Sequence, residues 1–139
     1  MNLDLVYQYG PSLLQGTIIT LKVSVLSALI GFTLGTLLGF WQSGKVKAVR
    51  YLVTAFVTII RGTPMLIQIA FMYFAVFPAL GVQTSALYIA IFAIGMNSSA
   101  YICEVIRSGI QSVGAGQIEA AKTLGLSGGQ IDRFIIFPQ

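Results

Sequence analysis

Residues 62–103, GTPMLIQIAFMYFAVFPALGVQTSALYIAIFAIGMNSSAYIC, run from Arg61 to Glu104 without one charged side chain. A helix that crosses ~30 Å of hydrocarbon needs about 20 mostly apolar residues, so this run has room for two. Pro78, Gly81 and Gln83, in the turn FPALGVQTS, divide it. The spans fall at 64–80 and 84–106. Upstream, the stretch between Lys22 and Lys45 is also uncharged and holds a further span at 17–41. The expected fold class is all-α: a polytopic membrane protein with three transmembrane helices in a single transmembrane domain, 1–139.

Composition agrees. Hydrophobic residues make up 56% of the 139 and charged residues 9%, against roughly 25% charged in soluble domains. Mean hydropathy is +0.87. A soluble enzyme and a disordered tail are both excluded on these grounds. With no His and one Cys, the chain offers no metal site, no Ser-His-Asp triad and no disulfide framework. A cleaved signal peptide fits poorly, because Asp4 precedes the first basic residue, Lys22. Lys22 is expected to snorkel along its apolar stem to an interface.

Orientation follows from the basic residues. The loop WQSGKVKAVRY carries Lys45, Lys47 and Arg50 and no acid, whereas the 78–83 turn carries no charge. The positive-inside rule then places that loop and the chain after Arg107 in the cytoplasm, with the N-terminus outside.

Within 45–61, Lys47, Arg50, Thr54, Thr58 and Arg61 share one helical face, and Val46, Val49, Val53, Phe56 and Ile60 share the opposite one. The stretch reads either as an amphipathic helix on the inner membrane surface or as the deep start of the second span. A break at Gly62–Pro64 favours the former, since Pro64 cannot donate to the preceding turn. In the third span Asn97, Tyr101, Glu104 and Ser108 form a narrow polar stripe, and Gln68 could face the same interior. Such residues are expensive in a span and should face protein or water. They read as a pathway or subunit seam, or equally as a helix–helix hydrogen-bond network with Glu104 paired to Arg107. Ile102 and Ile106 are expected to face lipid. Gly31, Gly35 and Gly39 form a ridge that lets another helix approach, in the same subunit or in a second one.

After Arg107 the sequence turns polar and glycine-rich. Gln117–Leu124 is a helix candidate with Gly125 at its C′ position, and Ser127 with Gln130 forms a capping box for a second helix. The result is a helical elbow spanning 116–138.

Here the residues resemble a known family. Glu119-Ala120-Ala121, Gly125, Ile135 and Pro138 stand at the spacing E-A-A-x3-G-x9-I-x-x-P, and so look like the EAA loop of ABC-importer permeases, with Phe137 where Leu is commoner. Gly16-Thr17, Thr20-Leu21, Ser24, Arg61-Gly62-Thr63-Pro64, Gln68, Asn97-Ser98-Ser99-Ala100-Tyr101 and Glu104-Val105-Ile106-Arg107 point to the polar amino acid (histidine/glutamine/arginine type) branch.

The resemblance implies a type I importer transmembrane domain in the bacterial inner membrane, working as a homo- or heterodimer. Glu119, Ala120, Ala121 and Gly125 would dock on a cytoplasmic ABC ATPase subunit, and Ile135 and Pro138 would lead back toward the membrane. Arg61, Gly62, Thr63 and Pro64 match the second-helix entry, with Arg61 either a ligand or an anchor. A substrate-binding protein outside would deliver the amino acid. The chain itself would be no enzyme, would use no cofactor and would bind no nucleic acid; it carries no G-x4-G-K-[ST] loop. The family pattern continues with two further helices beyond Gln139. A non-transporting anchor that docks an ATPase and a small homo-oligomeric channel are the alternatives.

Overall fold

The computed structural model describes residues 3–44 and 46–139, with side chains from residue 7 onward. Lys45, one of the three basic residues behind the expected orientation, and the side chain of Asp4 lie outside the described residues. Every described element is helical. They are α1 (Leu3–Ser43), α2 (Lys47–Arg61), α3 (Met65–Ala79), α4 (Ala86–Ser112), α5 (Ala115–Thr123) and α6 (Gly128–Ile131). α3 includes a π turn at Met72–Val76, and α6 runs on through a second π turn at Asp132–Ile136.

The main packing is α1 against α4, and the glycine ridge lies inside this one chain. A Cβ on Gly31 would fall 2.6 Å from Cβ of Ser98, one on Gly35 2.6 Å from Cβ of Ile102, and one on Gly39 2.7 Å from Cβ of Ile106. Only hydrogen at these three positions lets the backbones approach so closely. Gly95 returns the fit from α4, receiving the branched side chain of Ile30. Residue numbers rise together along both helices, so α1 and α4 run parallel. The Ser27 hydroxyl, buried in this seam, donates to the Ile91 carbonyl at 3.1 Å.

Ile102 and Ile106 therefore face α1 rather than lipid, against the sequence expectation. The i+4 glycine ridge matches isoleucines at the same spacing, and lipid exposure passes instead to residues such as Val105.

The spans also differ from expectation. α1 starts at Leu3 rather than at residue 17, and α4 continues past 106 to Ser112 before ending at Val113. Among the described residues two helices, Tyr7–Ser43 and Ala86–Ser112, are long and apolar enough to cross a membrane. The 64–80 span is a helix of about 22 Å by its rise per residue, short of the hydrocarbon thickness. It counts toward a third crossing only together with α2, from which it is bent by 104°.

The apolar stripe of α2 is not a lipid-facing surface. Val53 and Val57 are buried with Ala100 and Cys103, and Leu38, Val49, Phe56 and Ile60 pack around them, whereas Val46 is exposed. α2 thus crosses the α1–α4 pair near the middle of α4. Each π turn stands just before a Phe-Pro pair, Phe77-Pro78 and Phe137-Pro138. Shifting the hydrogen bonding to i→i−5 makes room for a ring that an α-helical turn would meet head-on. At the end of α3, Gly81 adopts φ +66°, and the N–H groups of Gly81 and Val82 bond to Pro78 and Phe77 at 3.0 Å each, a Schellman ending.

Candidate functional site

α1, α2 and α4 converge on a polar recess of about 370 Å³ lined by Gln42, Thr54, Thr58, Arg61, Tyr101 and Glu104. Glu104 is its electrostatic centre. Arg107, one turn on, donates to both carboxylate oxygens, from Nε at 3.2 Å and Nη2 at 2.9 Å, and Arg61 reaches the same carboxylate from α2 at 3.7 Å. The Arg61 guanidinium lies 5.3 Å from the Tyr101 ring centroid, a favourable cation–π placement. One carboxylate thus faces two guanidiniums, and the more loosely held one, Arg61, remains partly exposed to the recess.

A partly buried chain of hydrogen bonds adjoins the recess through Gln42. The Cys103 thiol donates to Gln42 Oε1 at 3.2 Å, and Gln42 Nε2 donates to the Thr54 hydroxyl at 3.2 Å. Cys103 is fully buried and Gln42 is 5% exposed. Cys103 is thus a small buried side chain that also makes a weak S–H donation.

Beside the recess lies the joint between α2 and α3. Gln68 Nε2 donates to the Ile60 carbonyl and to the Thr63 hydroxyl at 2.7 Å each, and contacts the Thr63 carbonyl at 3.1 Å. Asn97 Nδ2 donates to Gln68 Oε1 at 3.0 Å. The stripe read from sequence thus divides. Tyr101 and Glu104 line the recess with Arg61, while Asn97 joins Gln68, Thr63 and Pro64 at the joint. Ser108 stands exposed and bonds to its own helix at Val105.

Sequence reasoning missed Gln42 altogether; Thr54 and Thr58, read on the polar face of 45–61, are exposed and line the recess. A signal for Gln42 existed: an amide closing an apolar helix, three residues after the last glycine of the ridge.

The elbow forms a second candidate. α5 ends in a left-handed Gly125 at φ +80°. The Gly125 N–H bonds to Lys122 at 2.9 Å and the Leu126 N–H to Ala121 at 3.1 Å, a second Schellman ending. Nothing lies within 4 Å of a Cβ built on Gly125, so conformation, not space, requires glycine here. Gln130 Oε1 accepts from the Ser127 N–H at 2.8 Å, closing the capping box of α6.

Glu119, Ala120 and Gly125 are exposed, whereas Ala121 is 4% exposed and turned inward. Of the two alanines only Ala120 is available to a partner. Leu124, which sequence reading passed over, is 81% exposed at the tip. Ile135 is half-buried and Pro138 exposed. Phe137 stacks on Phe40 of α1, centroids 5.2 Å apart and planes 11° from parallel, and Gln139 donates to Gln117 at 2.7 Å. The elbow is thereby held against α1.

Residues 31–139 match the family described as binding-protein-dependent transport system inner membrane component. The chain is 36% identical over 141 residues to the arginine transport system permease protein ArtQ of Bacillus subtilis, covering 100% of this chain and 64% of that protein. A Rickettsia conorii protein named as a glutamine transport system permease, GlnP, is 39% identical over 91% of this chain and 58% of its own length. Among solved structures, an amino acid ABC transporter crystallised with histidines superimposes over 100% of this chain and 64% of that one, with a TM-score of 0.88 and 32% identity. The MetNI methionine ABC transporter, at 20% identity and a TM-score of 0.65, shares the fold. The chain spans about three-fifths of the length of the curated relatives it matches.

Proposed function

The chain belongs to the family of binding-protein-dependent transport system inner membrane components, and on that premise we propose that it forms the membrane-spanning permease part of an amino-acid importer driven by a separate cytoplasmic ABC ATPase. The observation that carries this reading is the elbow. It presents Glu119, Ala120 and Leu124 outward, takes its angle from Gly125, and is held against the long helix α1 through Phe137 and Phe40. A partner that grips the tip can pull on α1 and, through the close α1–α4 seam, on the recess.

The recess suits an amino acid as cargo. A zwitterion needs a cation for its carboxylate and an acceptor for its ammonium, and Arg61 and Glu104 present both charges within one polar wall. Relatives are named for glutamine and arginine transport, which supports an amino acid without choosing one. In this reading the elbow is cytoplasmic and the N-terminus outside, a substrate-binding protein delivers the amino acid on the outer side, and a second permease subunit completes the pathway.

A second reading, an anchor that docks an ATPase and moves nothing, is favoured by one observation. Among the described residues, large apolar side chains along the first half of α1, such as Leu13, Leu14 and Ile18, stand exposed. Capture and uptake, measured together, decide between the two. The chain in lipid nanodiscs should capture its cognate ATPase subunit, and Gly125→Val or Glu119→Lys should abolish capture. The same substitutions in the complete permease should abolish uptake. Capture that withstands both changes overturns the docking role; capture without uptake in the complete protein selects the anchor.

A further inference from the structure

A helix that stops inside a membrane leaves its last carbonyls without N–H partners, and each unpaired one costs several kcal/mol in hydrocarbon. α2 stops at Arg61 because Pro64 has no N–H to give to the Ile60 carbonyl, its i−4 acceptor. The last carbonyls of α2 can be followed one at a time. That of Thr58 keeps its ordinary helical donor, the Gly62 N–H, at 2.9 Å. That of Ile59 accepts from the Thr63 hydroxyl at 3.0 Å. That of Ile60, the one Pro64 abandons, accepts from Gln68 Nε2 at 2.7 Å, with the Thr63 hydroxyl a longer second donor at 3.4 Å.

We infer that Gln68 and Asn97 are a positioning pair that sets the 104° bend between α2 and α3: the Gln68 side-chain amide replaces the N–H that Pro64 lacks, and Asn97 holds that amide in the donating orientation. The geometry requires both partners. An amide can rotate by 180° and offer its oxygen to the carbonyls, which would repel it. By donating to Gln68 Oε1 at 3.0 Å, Asn97 fixes which end faces Ile60. Because Asn97 belongs to α4, the bend is tied to the helix that carries Tyr101 and Glu104, and Arg61 is delivered to 3.7 Å from the Glu104 carboxylate. The assignment concerns the geometry of the joint and stands whether or not the chain transports.

The test is a distance across the joint. Spin labels at Leu52 and Leu80, both well exposed, are read by pulsed dipolar spectroscopy in nanodiscs, with Cys103→Ser removing the native thiol. From the helical rise, the bent joint places the two sites about 25 Å apart and a continuous helix about 42 Å apart. The parent should give one narrow population near the shorter distance. Gln68→Leu should broaden it, since the Ile60 carbonyl loses its short donor and keeps only the Thr63 hydroxyl at 3.4 Å, and Asn97→Leu, which leaves Gln68 in place, should broaden it similarly. The two together should broaden it no further.

Pro64→Ala restores the backbone donor, so Pro64→Ala with Gln68→Leu should give one narrow population near the longer distance. A general loss of folding would not produce that result. Narrow parental distributions in both Gln68→Leu and Asn97→Leu would overturn the assignment, as would a Pro64→Ala/Gln68→Leu double variant that stays bent.

Discussion

Arg61 and Glu104 approach to 3.7 Å from two different helices, yet Glu104 already holds a tighter partner in Arg107, at 2.9 and 3.2 Å. The two arginines are therefore unequal. Arg107 secures the carboxylate, and Arg61 shares its field while facing the recess. Half-exposed pairs at such a distance contribute about 1 kcal/mol or less, so Arg61→Gln should barely change the melting temperature in detergent. Glu104→Gln leaves both guanidiniums without their anion and should lower it further. In the importer proposed above both should reduce uptake. A larger thermal loss from Arg61→Gln than from Glu104→Gln would reverse these roles.

The α1–α4 seam predicts a position-dependent cost for one methyl group. A Cβ at Gly35 meets Cβ of Ile102 at 2.6 Å and the Ser99 carbonyl at 2.7 Å, so Gly35→Ala should destabilise by about 1–3 kcal/mol, the range for overpacking. Gly16, also in α1, has nothing within 4 Å of its Cβ position. Gly16→Ala should be neutral or slightly stabilising, because alanine favours a helix over glycine by about 1 kcal/mol. Thermal melting of the two variants side by side checks the contrast.

At the elbow, substitution should follow backbone conformation rather than size. Gly125 sits in the left-handed region at φ +80° with open space around its Cβ position. Asn, which tolerates that region, should retain most ATPase capture; Ala should lose part of it and Val nearly all. Equal capture by Asn and Val would mean that the turn angle does not matter to docking.

Leu124 offers a separate test of the same surface. It is 81% exposed, so Leu124→Asp should leave the stability within about 0.5 kcal/mol of the parent, as is usual for surface changes. If the tip is gripped by an apolar groove, the same variant should lose capture. Capture at the parental level would move the docking surface toward Glu119 and Ala120.

Lipid exposure can be mapped with single cysteines in a Cys103→Ser background, using a membrane-soluble maleimide. Val105→Cys should label readily, its native side chain being 66% exposed. Ile102→Cys and Ile106→Cys should label slowly, shielded by Gly35 and Gly39. Fast labelling at all three would separate α4 from α1.

The contrast between Val105 and the two isoleucines depends on the fold and not on the sequence of α4 alone. Charge-free runs located the apolar helices, and the Gly125 turn with its Ser127–Gln130 box could be read residue by residue, because caps and turns depend on neighbours in the chain. The glycine ridge was visible too, but its partner was not: i+4 spacing on α1 says that something approaches closely, and only the fold identifies it as Ser98, Ile102 and Ile106. The polar stripe on α4 was found as a stripe and then divided in space, since the α2–α3 bend brings Arg61 to Glu104 and Gln68 to Asn97. Gln42 was overlooked because a lone amide at a helix end looks like ordinary interfacial polarity until Cys103 and Thr54 are seen on either side of it. Thr54 and Thr58 stand on the polar face that periodicity gave them, and only the helices that α2 crosses make that face a wall of the recess.

The shared direction of α1 and α4 has a topological consequence. Two parallel helices that both cross a membrane must be joined by a segment that crosses it an odd number of times, so the bent α2–α3 unit has to supply the return. The end of α1, beside Lys47 and Arg50, and the end of α4, which opens into the elbow, then emerge from the same face. A single accessibility measurement on either one, from a known side of a sealed vesicle, assigns the sidedness of the other.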